Sequence, residues 1–435
     1  MKYPEGIAAQ PAALATSLAS LQLPSYKGGL IALVGIGASE HAAQGAATAW
    51  RAAGLQAVAI PASSPPVAAA LTLLISESGR STEVLAHNPS SRTIALTNFP
   101  DSPLAAAADE VILLNSGPDS PAYTTGYTAT LQALGVLGDH WSATTSATAF
   151  GGGGRGGEGS LPASAKINSA GAADAESASA GGTSTRAAAS AHGTAAAAPS
   201  ASTAPGASTA PSASTAPGAS TVPSASTAPG ASTAPSASTG PGASNALASG
   251  VTPSVSAASF GDTDVSVSPF DWTALPALVS SALAAPLGAA SAFLDEARLV
   301  DVVASGVSVA TAGEGGLLLR ESGRLHTAVH ETRNYLHGPM EILDRETTCL
   351  LIGDGREVQL ACDVREYGTK VVLVTTREVE SSEGLVVIKV PKASNGLAQA
   401  VLEMVVVQRL GWEVARKRGL QVDGFRHRQS DTKVS

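Results

Sequence analysis

From Ala201 the sequence repeats a hexapeptide, ASTAPG ASTAPS ASTAPG ASTVPS, within a stretch from 142 to 262 made mostly of Ala, Ser, Thr, Gly and Pro, with GGGGRGGEG near its start. Such a stretch carries too little apolar side chain to offset the backbone entropy that folding removes. A left-handed β-helix also repeats every six residues, but it fills its core with a bulky aliphatic residue in each repeat, and only Val222 qualifies here. The stretch is therefore expected to be a disordered, partly polyproline-like linker. It leaves two foldable pieces, 1–141 and 263–418, and a tail of 419–435. Each piece is close to the commonest domain size.

Both pieces alternate strand and helix signals. In the first, LIALVG (30–35), LTLLI (71–75), RTIALT (92–97) and EVILL (110–114) are short continuous apolar runs, as strands buried on both faces should be. Helical stretches such as SEHAAQGAATAWRAAG separate them. In the second piece GVSVATAG, TCLLIGDG, KVVLVTT and LVVIKV read as strands, with HTAVHETRNYL and NGLAQAVLEMVVVQRLGWEVARKRG as helices between or after them. The last of these closes on Arg416, Lys417 and Arg418, where cations suit the helix dipole, and then on Gly419 as a cap. The fold class is thus α/β, with two tandem units of parallel sheet flanked by helices. Ligands of such units lie outside the carboxyl ends of the strands.

A net charge of −9 argues against general affinity for nucleic acid or an anionic membrane, which needs clustered Lys and Arg. Pro4 and Glu5 interrupt the opening MKYPEGIAAQPAAL, and no run approaches the ~20 apolar residues of a membrane span. A cytoplasmic protein is expected. Cys349 and Cys362 lie in apolar stretches without a CxxC pair or a Cys/His ligand set, and read as free, buried thiols.

In LLISESGRSTEVL a strand ends in Ser76, Glu77, Ser78, Gly79, Arg80 and Ser81 before a helix begins. At such a turn, free backbone N–H groups and the positive end of the helix dipole face outward, and the serine hydroxyls add donors around one small anion. Gly79 removes the Cβ that would block close approach. A phosphate monoester is the natural guest; the plainer reading makes Ser81 an ordinary helix N-cap. A second turn, LVGIGASEHAA, puts Gly35, Gly37 and Ser39 at the same sheet end without forming a GxGxxG loop. His326 and His330, four apart on a helix, would share a face, but the HExxH form fails and no third ligand is evident, so no metal is expected. His337 could move protons near neutral pH, or could simply sit in the loop that Pro339 enforces.

These motifs resemble those of one family. ISESGRSTEVL resembles the phosphate loop of sugar isomerase (SIS) domains, S-x-S-G-x-[ST], and GIGAS resembles their first loop. LHGPMEILD is similar to the H-G-P-x-x-L/I segment of the double-SIS isomerase module of the glutamine-fructose-6-phosphate amidotransferases, and GLQVDGFR to their closing G-x-x-V-D-x-x-R. The resemblance covers both pieces and none of the linker.

It implies sugar-phosphate contacts at Gly37, Ser39, Ser76, Ser78, Gly79 and Ser81, with Glu77 standing where the family often has Gln. Counting back from His337, Glu321 falls on the glutamate that shuttles a proton between C1 and C2, and the apolar run Leu317 to Leu319 before it would raise its pKa. His337 matches the histidine that helps open the sugar ring from the neighbouring subunit, which implies a homodimer. The family's lysine three residues before the glutamate is Leu318 here. Its Schiff-base lysine aligns with Ser430 by simple counting, and Lys433 takes that role if the tail shifts register.

The chain opens at the first unit's leading helix, so glutamine is not expected to be the ammonia source within it. The expected activity is that of an amino-sugar phosphate deaminase/isomerase converting glucosamine-6-phosphate to fructose-6-phosphate and ammonia, with no metal or organic cofactor and a phosphosugar as partner. Two alternatives stay open: another phosphosugar isomerase or aminotransferase, and a phosphosugar-binding protein without catalysis. A regulator would normally add a basic helix-turn-helix, which is absent.

Overall fold

The apolar runs pair as parallel strands, the arrangement that buries a continuous Val/Ile/Leu strand on both faces. The computed structural model describes residues 1–151, 269–427 and 429–434. Its first half contains α1 (Tyr3–Ser20), β1 (Ile31–Gly35), α2 (Ala38–Ala52), β2 (Ala57–Pro61), β3 (Leu71–Ile75), α3 (Thr82–Ala86), β4 (Arg92–Thr97), α4 (Pro103–Ala107), β5 (Glu110–Leu113) and α5 (Thr125–Gly151). The second contains α6 (Leu275–Ala284), α7 (Ala290–Glu296), β6 (Leu299–Ala304), α8 (Val309–Gly323), β7 (Thr327–Glu331), α9 (Thr332–Tyr335), β8 (Thr347–Ile352), α10 (Arg356–Arg365), β9 (Lys370–Thr375), β10 (Leu385–Lys389) and α11 (Gly396–Lys417).

The sheets run β2-β1-β3-β4-β5 and, in the same sense, β7-β6-β8-β9-β10, all strands parallel. Each half therefore places its second strand outside its first and then continues outward from the third, which is the doubly wound order with a switch point between first and third strands. Ile31 pairs with Ala57 on one side and Leu71 on the other, so the loops after β1 and β3 emerge side by side at that point.

The halves share one core. Helix α11 is buried on nearly every face, from Leu397 through Val401, Val405 and Leu410 to Val414. Its neighbours include α8, α5 and α6. Helix α1 ties the halves together: the Tyr3 hydroxyl donates to the Gln408 carbonyl at 3.1 Å, and Gln10 Nε2 donates to Gln408 Oε1 at 2.7 Å.

Several sequence readings change. GVSVATAG is no strand; it forms a 3-10 turn and the start of α8. Its valines favour extended chain locally, but tertiary packing prevails, and Gly313 of α8 admits the His41 ring of α2 where a Cβ would lie 2.6 Å from it. HTAVHETRNYL is not one helix but edge strand β7 followed by the single turn α9. The strands β2 and β6 are additions.

Cys349 is buried, but Cys362 is exposed, because α10 turns Leu360, Ala361 and Val364 inward instead. The first piece extends beyond 141, since α5 continues to Gly151. The expectation of a disordered linker falls on residues 152–262, outside the described residues, apart from this helical start. Among the described residues no helix is long and apolar enough to cross a membrane.

Candidate active site

At the switch point of the first sheet, the turn after β1 and the turn after β3 face α5, α8 and the chain's tail across a cavity of about 340 Å³. Gly37, Ser39, Ser76, Glu77, Ser78, Ser81, Glu321 and Lys433 all line it. Gly37 adopts φ +58° as the N-cap of α2, so the helix start and Ser39 in its first turn point their free donors at this space.

In the second turn Ser76 Oγ and Ser81 Oγ lie 3.0 Å apart, and the Arg80 N–H donates to Ser78 Oγ at 3.4 Å. Ser81 holds the N-cap position of α3, yet its side chain accepts no bond from that helix. Its hydroxyl is committed to the serine cluster instead of the cap. Gly79 does not line the cavity. Its φ is +61°, its N–H donates to the Ser76 carbonyl, and a Cβ there would overlap the Ser102 hydroxyl and come within 2.9 Å of Thr97 Oγ1. Glycine is needed for the turn's own packing, not for approach of a ligand.

Glu321 enters from the last turn of α8, beside Leu317. Burial, reinforced by Glu314 two turns earlier on the same helix, pushes its carboxyl up to about 8, against the pull of Arg324 and Lys433. Glu314 is buried outright and raised by the same loss of water, with His41 Nδ1 at 3.5 Å from its Oε2.

Lys433 reaches the cavity because the tail folds back against the serine turn through an isolated antiparallel bridge. The Val434 N–H donates to the Arg80 carbonyl, the Thr82 N–H to Thr432, and Ser81 pairs with Lys433 in an antiparallel bridge. Upstream, Val422 is buried and Asp423 accepts from the Tyr3 N–H at 3.2 Å. Lys433 Nζ donates to the Tyr123 hydroxyl at 3.0 Å. Ser430, the residue that simple counting picks, lines neither this cavity nor its neighbour.

His337 is the outlier. It is exposed after α9, its N–H bonds to the Asn334 carbonyl, and it lines no part of the cavity in this chain. His330, on β7, faces buried Asp301 at 3.7 Å, and His326 precedes that strand exposed, so the shared helix face for a metal does not form. Among the described residues no group of three His, Cys, Asp or Glu is arranged to hold a metal ion.

Sequence reasoning missed Tyr123, Tyr127 and Thr130 of the α5 start, and Glu83. The run YTTGYTAT carries hydroxyls whose direction is set by the packing of α5 on α1, α2 and α11: the Tyr127 hydroxyl reaches α8 and donates to the Ala310 carbonyl at 2.9 Å. A second, larger chamber of about 1090 Å³ adjoins the first and shares Glu77, Ser78, Tyr123, Thr432 and Lys433 with it.

No protein-family model matches the sequence. One curated relative, a protein of Schizosaccharomyces pombe named probable glutamine–fructose-6-phosphate aminotransferase (isomerizing), is 30% identical over 127 residues, which is 28% of this chain and 18% of that protein. The chain thus matches under a fifth of that relative's length. Solved structures align over nearly the whole chain. The C-terminal domain of glucosamine-fructose-6-phosphate aminotransferase from Francisella tularensis superposes with a TM-score of 0.62 at 16% identity, covering 97% of this chain and 98% of that one. Glucosamine-6-phosphate deaminase from Thermotoga maritima gives 0.58 at 16% identity, with 100% of both chains covered. Tagatose-6-phosphate ketose/aldose isomerase from Escherichia coli gives 0.53 at 14% identity, covering 97% and 94%. At these identities the likeness is one of fold, and the fold is the two-sheet architecture of phosphosugar isomerases that the loop motifs resemble.

Proposed function

We propose that this chain is an amino-sugar phosphate deaminase/isomerase, acting on glucosamine-6-phosphate to give fructose-6-phosphate and ammonia. The observation that carries the proposal is the meeting, in one cavity, of a serine cup with a raised carboxyl and a lysine. Phosphate anchored at Ser39, Ser76, Ser78 and Ser81 would hold C1 and C2 of the open-chain sugar against Glu321, making proton transfer effectively intramolecular.

Ionised Glu321 takes the proton from C2, the C–H electron pair forms a C1=C2 double bond, and the carbonyl pair moves to O1, which takes a proton from water. Returning the C2 proton to C1 draws the nitrogen lone pair into a C2=N bond, and the iminium so formed gives one N–H proton back to water, leaving a ketimine at C2. Water adds to that carbon and ammonia leaves, so one water is consumed for each ammonia released. The positive charge of Lys433 offsets the charge that develops on O1. His337 serves ring opening only if a second copy of the chain brings it to the cavity, the arrangement the family resemblance implies.

The test is to incubate the full chain with glucosamine-6-phosphate and follow ammonia and fructose-6-phosphate together, with Glu321→Gln alongside. Both products in equal amounts from wild type alone support the reading. Neither product at any pH between 6 and 9, or both products formed equally by Glu321→Gln, refutes it.

A second reading is favoured by one contact. Lys433 Nζ lies among the cavity's reactive groups, bonded to Tyr123, as an amine that forms an imine with a ketose would. Such an imine would let the same site run in the aminating direction, as an aminotransferase-type isomerase with ammonia supplied from outside.

A further inference from the structure

We infer that Glu77 is the residue by which this site selects a phosphosugar bearing an amino group over the counterpart bearing a hydroxyl at the same carbon; the inference rests on the phosphosugar reading above. Glu77 stands between Ser76 and Ser78 of the serine cup and lines both the inner cavity and the outer chamber. Its place is fixed from several sides. Its carbonyl accepts from the Asn98 N–H at 2.9 Å and from Thr97 Oγ1 at 3.0 Å, and its Oε1 accepts from Asn98 Nδ2 at 3.2 Å. Its Cγ packs so closely on the start of α5 that a Cβ at Gly126 would come within 2.7 Å of it.

What the fixing leaves available is Oε2. Among the described residues no donor reaches that oxygen, and it is not sealed from the cavity. The charged groups acting on Glu77 are Asp119, which accepts the N–H groups of Thr124 and Gly126, and Lys433 from the tail. Three carboxyls, Glu77, Glu83 and Glu321, line the inner cavity against one lysine. A neutral-bodied sugar phosphate would satisfy the serine cup with its dianion but offer the carboxyls no cationic donor. A ligand with phosphate at one end and ammonium at the other matches both: hydroxyls and helix N–H groups for the anion, and a carboxylate oxygen for the cation through a charge-assisted hydrogen bond. Burial and Asp119 push Glu77 up to about 7, Asn98 and Lys433 opposing, and an adjacent ammonium favours the ionised form that accepts it. Glu321 is occupied with the transferred proton, which leaves Glu77 to read the substituent.

The experiment measures Kd by calorimetry for glucosamine-6-phosphate, glucose-6-phosphate and inorganic phosphate on the full chain. It is done in a Glu321→Gln background, so that the sugars are not consumed, with and without Glu77→Gln. With Glu77 present, the amino sugar is expected to bind about tenfold or more tighter than its hydroxyl counterpart, the range for a hydrogen bond to a charged group. Glu77→Gln should bring that ratio near one while inorganic phosphate binds as before, and Glu77→Asp, which keeps the charge, should retain part of the preference. Equal binding of the two sugars with Glu77 intact, or a preference that survives Glu77→Gln, overturns the inference and leaves the phosphosugar reading standing. Binding of neither sugar nor phosphate overturns both.

Discussion

In the proposed reaction Glu321 takes a proton from C2 only when it is ionised, and its surroundings keep it protonated into the neutral range. Burial and the neighbouring Glu314 push the carboxyl from an ordinary 4.5 to about 8. At pH 6, then, only about one molecule in a hundred carries the base, and about one in ten at pH 7. For a single essential base, kcat/KM for ammonia release should climb about tenfold per pH unit up to about 8 and level off above it. The assay is coupled ammonia detection from pH 5.5 to 9.5 at low substrate. Two variants move the limb in opposite senses. Lys433→Ala removes a positive charge that pulls the pKa down, so its limb shifts to higher pH; Glu314→Gln removes a negative charge that pushes it up, so its limb shifts lower. The same group predicts stability. A carboxyl whose folded pKa exceeds its unfolded one favours the folded state less as pH rises from about 4.5 to about 8. Glu321→Gln should therefore be more stable than wild type by about 3 kcal/mol at pH 7, the gap closing below pH ~4.5. A rate flat between pH 6 and 8 with a limb near 4.5, or a Gln variant no more stable at pH 7 than wild type, would refute the reasoning.

Gly79→Ala meets a positive φ and the Ser102 side chain together; left-handed strain of ~1–2 kcal/mol and overpacking of ~1–3 kcal/mol predict a loss of ~2–5 kcal/mol in urea unfolding, partly restored by adding Ser102→Gly. Borohydride added during turnover with fructose-6-phosphate should reduce an imine between Lys433 Nζ and C2 to a stable secondary amine, found by mass spectrometry on the peptide containing Lys433; no adduct there, or an undiminished adduct in Lys433→Ala, removes the imine from the scheme.

How much of this was legible in the sequence follows from what each feature depends on. Strands such as Leu71–Ile75 are buried on both faces, and their apolar runs show it directly. The serine loop and Glu321 carry signals within a few residues of themselves, because a strand-to-helix turn has local chemistry. The second half was harder. GVSVATAG reads as extended because Val and Thr favour it, and only contact with α2 and α11 makes it helical; β7 lies at an edge with only Thr327 buried, so it lacks the continuous apolar run that marks an inner strand. Lys433 was found by its nearness to the expected position, but what puts it in the cavity is a main-chain bridge to Ser81, more than three hundred residues away in sequence. Tyr123 and Asn98 carried no local signal, since their direction is set by packing between elements.

The two halves share one strand order, yet only the first keeps an open cup at its switch point. In the second half the corresponding turns follow β6 and β8, and their donors are already taken by the chain's own carboxylates. Asp354, in the turn after β8, puts a carboxylate there instead of a donor and is tied to the end of β9, accepting from Thr375 Oγ1 at 2.6 Å and from the Thr376 N–H at 2.8 Å. Glu357 accepts from the Gly355 N–H at 3.2 Å and from the Thr332 hydroxyl. Glu403, pushed up to about 8 by burial and buried within α11, accepts from Ser308 and Thr311. Donors whose counterparts in the first half line the open cavity are here satisfied by the chain's own acid groups. An anion would have to displace a buried carboxyl and leave it unpaired, at a cost of several kcal/mol. The repeated strand order therefore goes with one cup among the described residues: the second half contributes α8, which carries Glu321 across the shared core to the cup of the first.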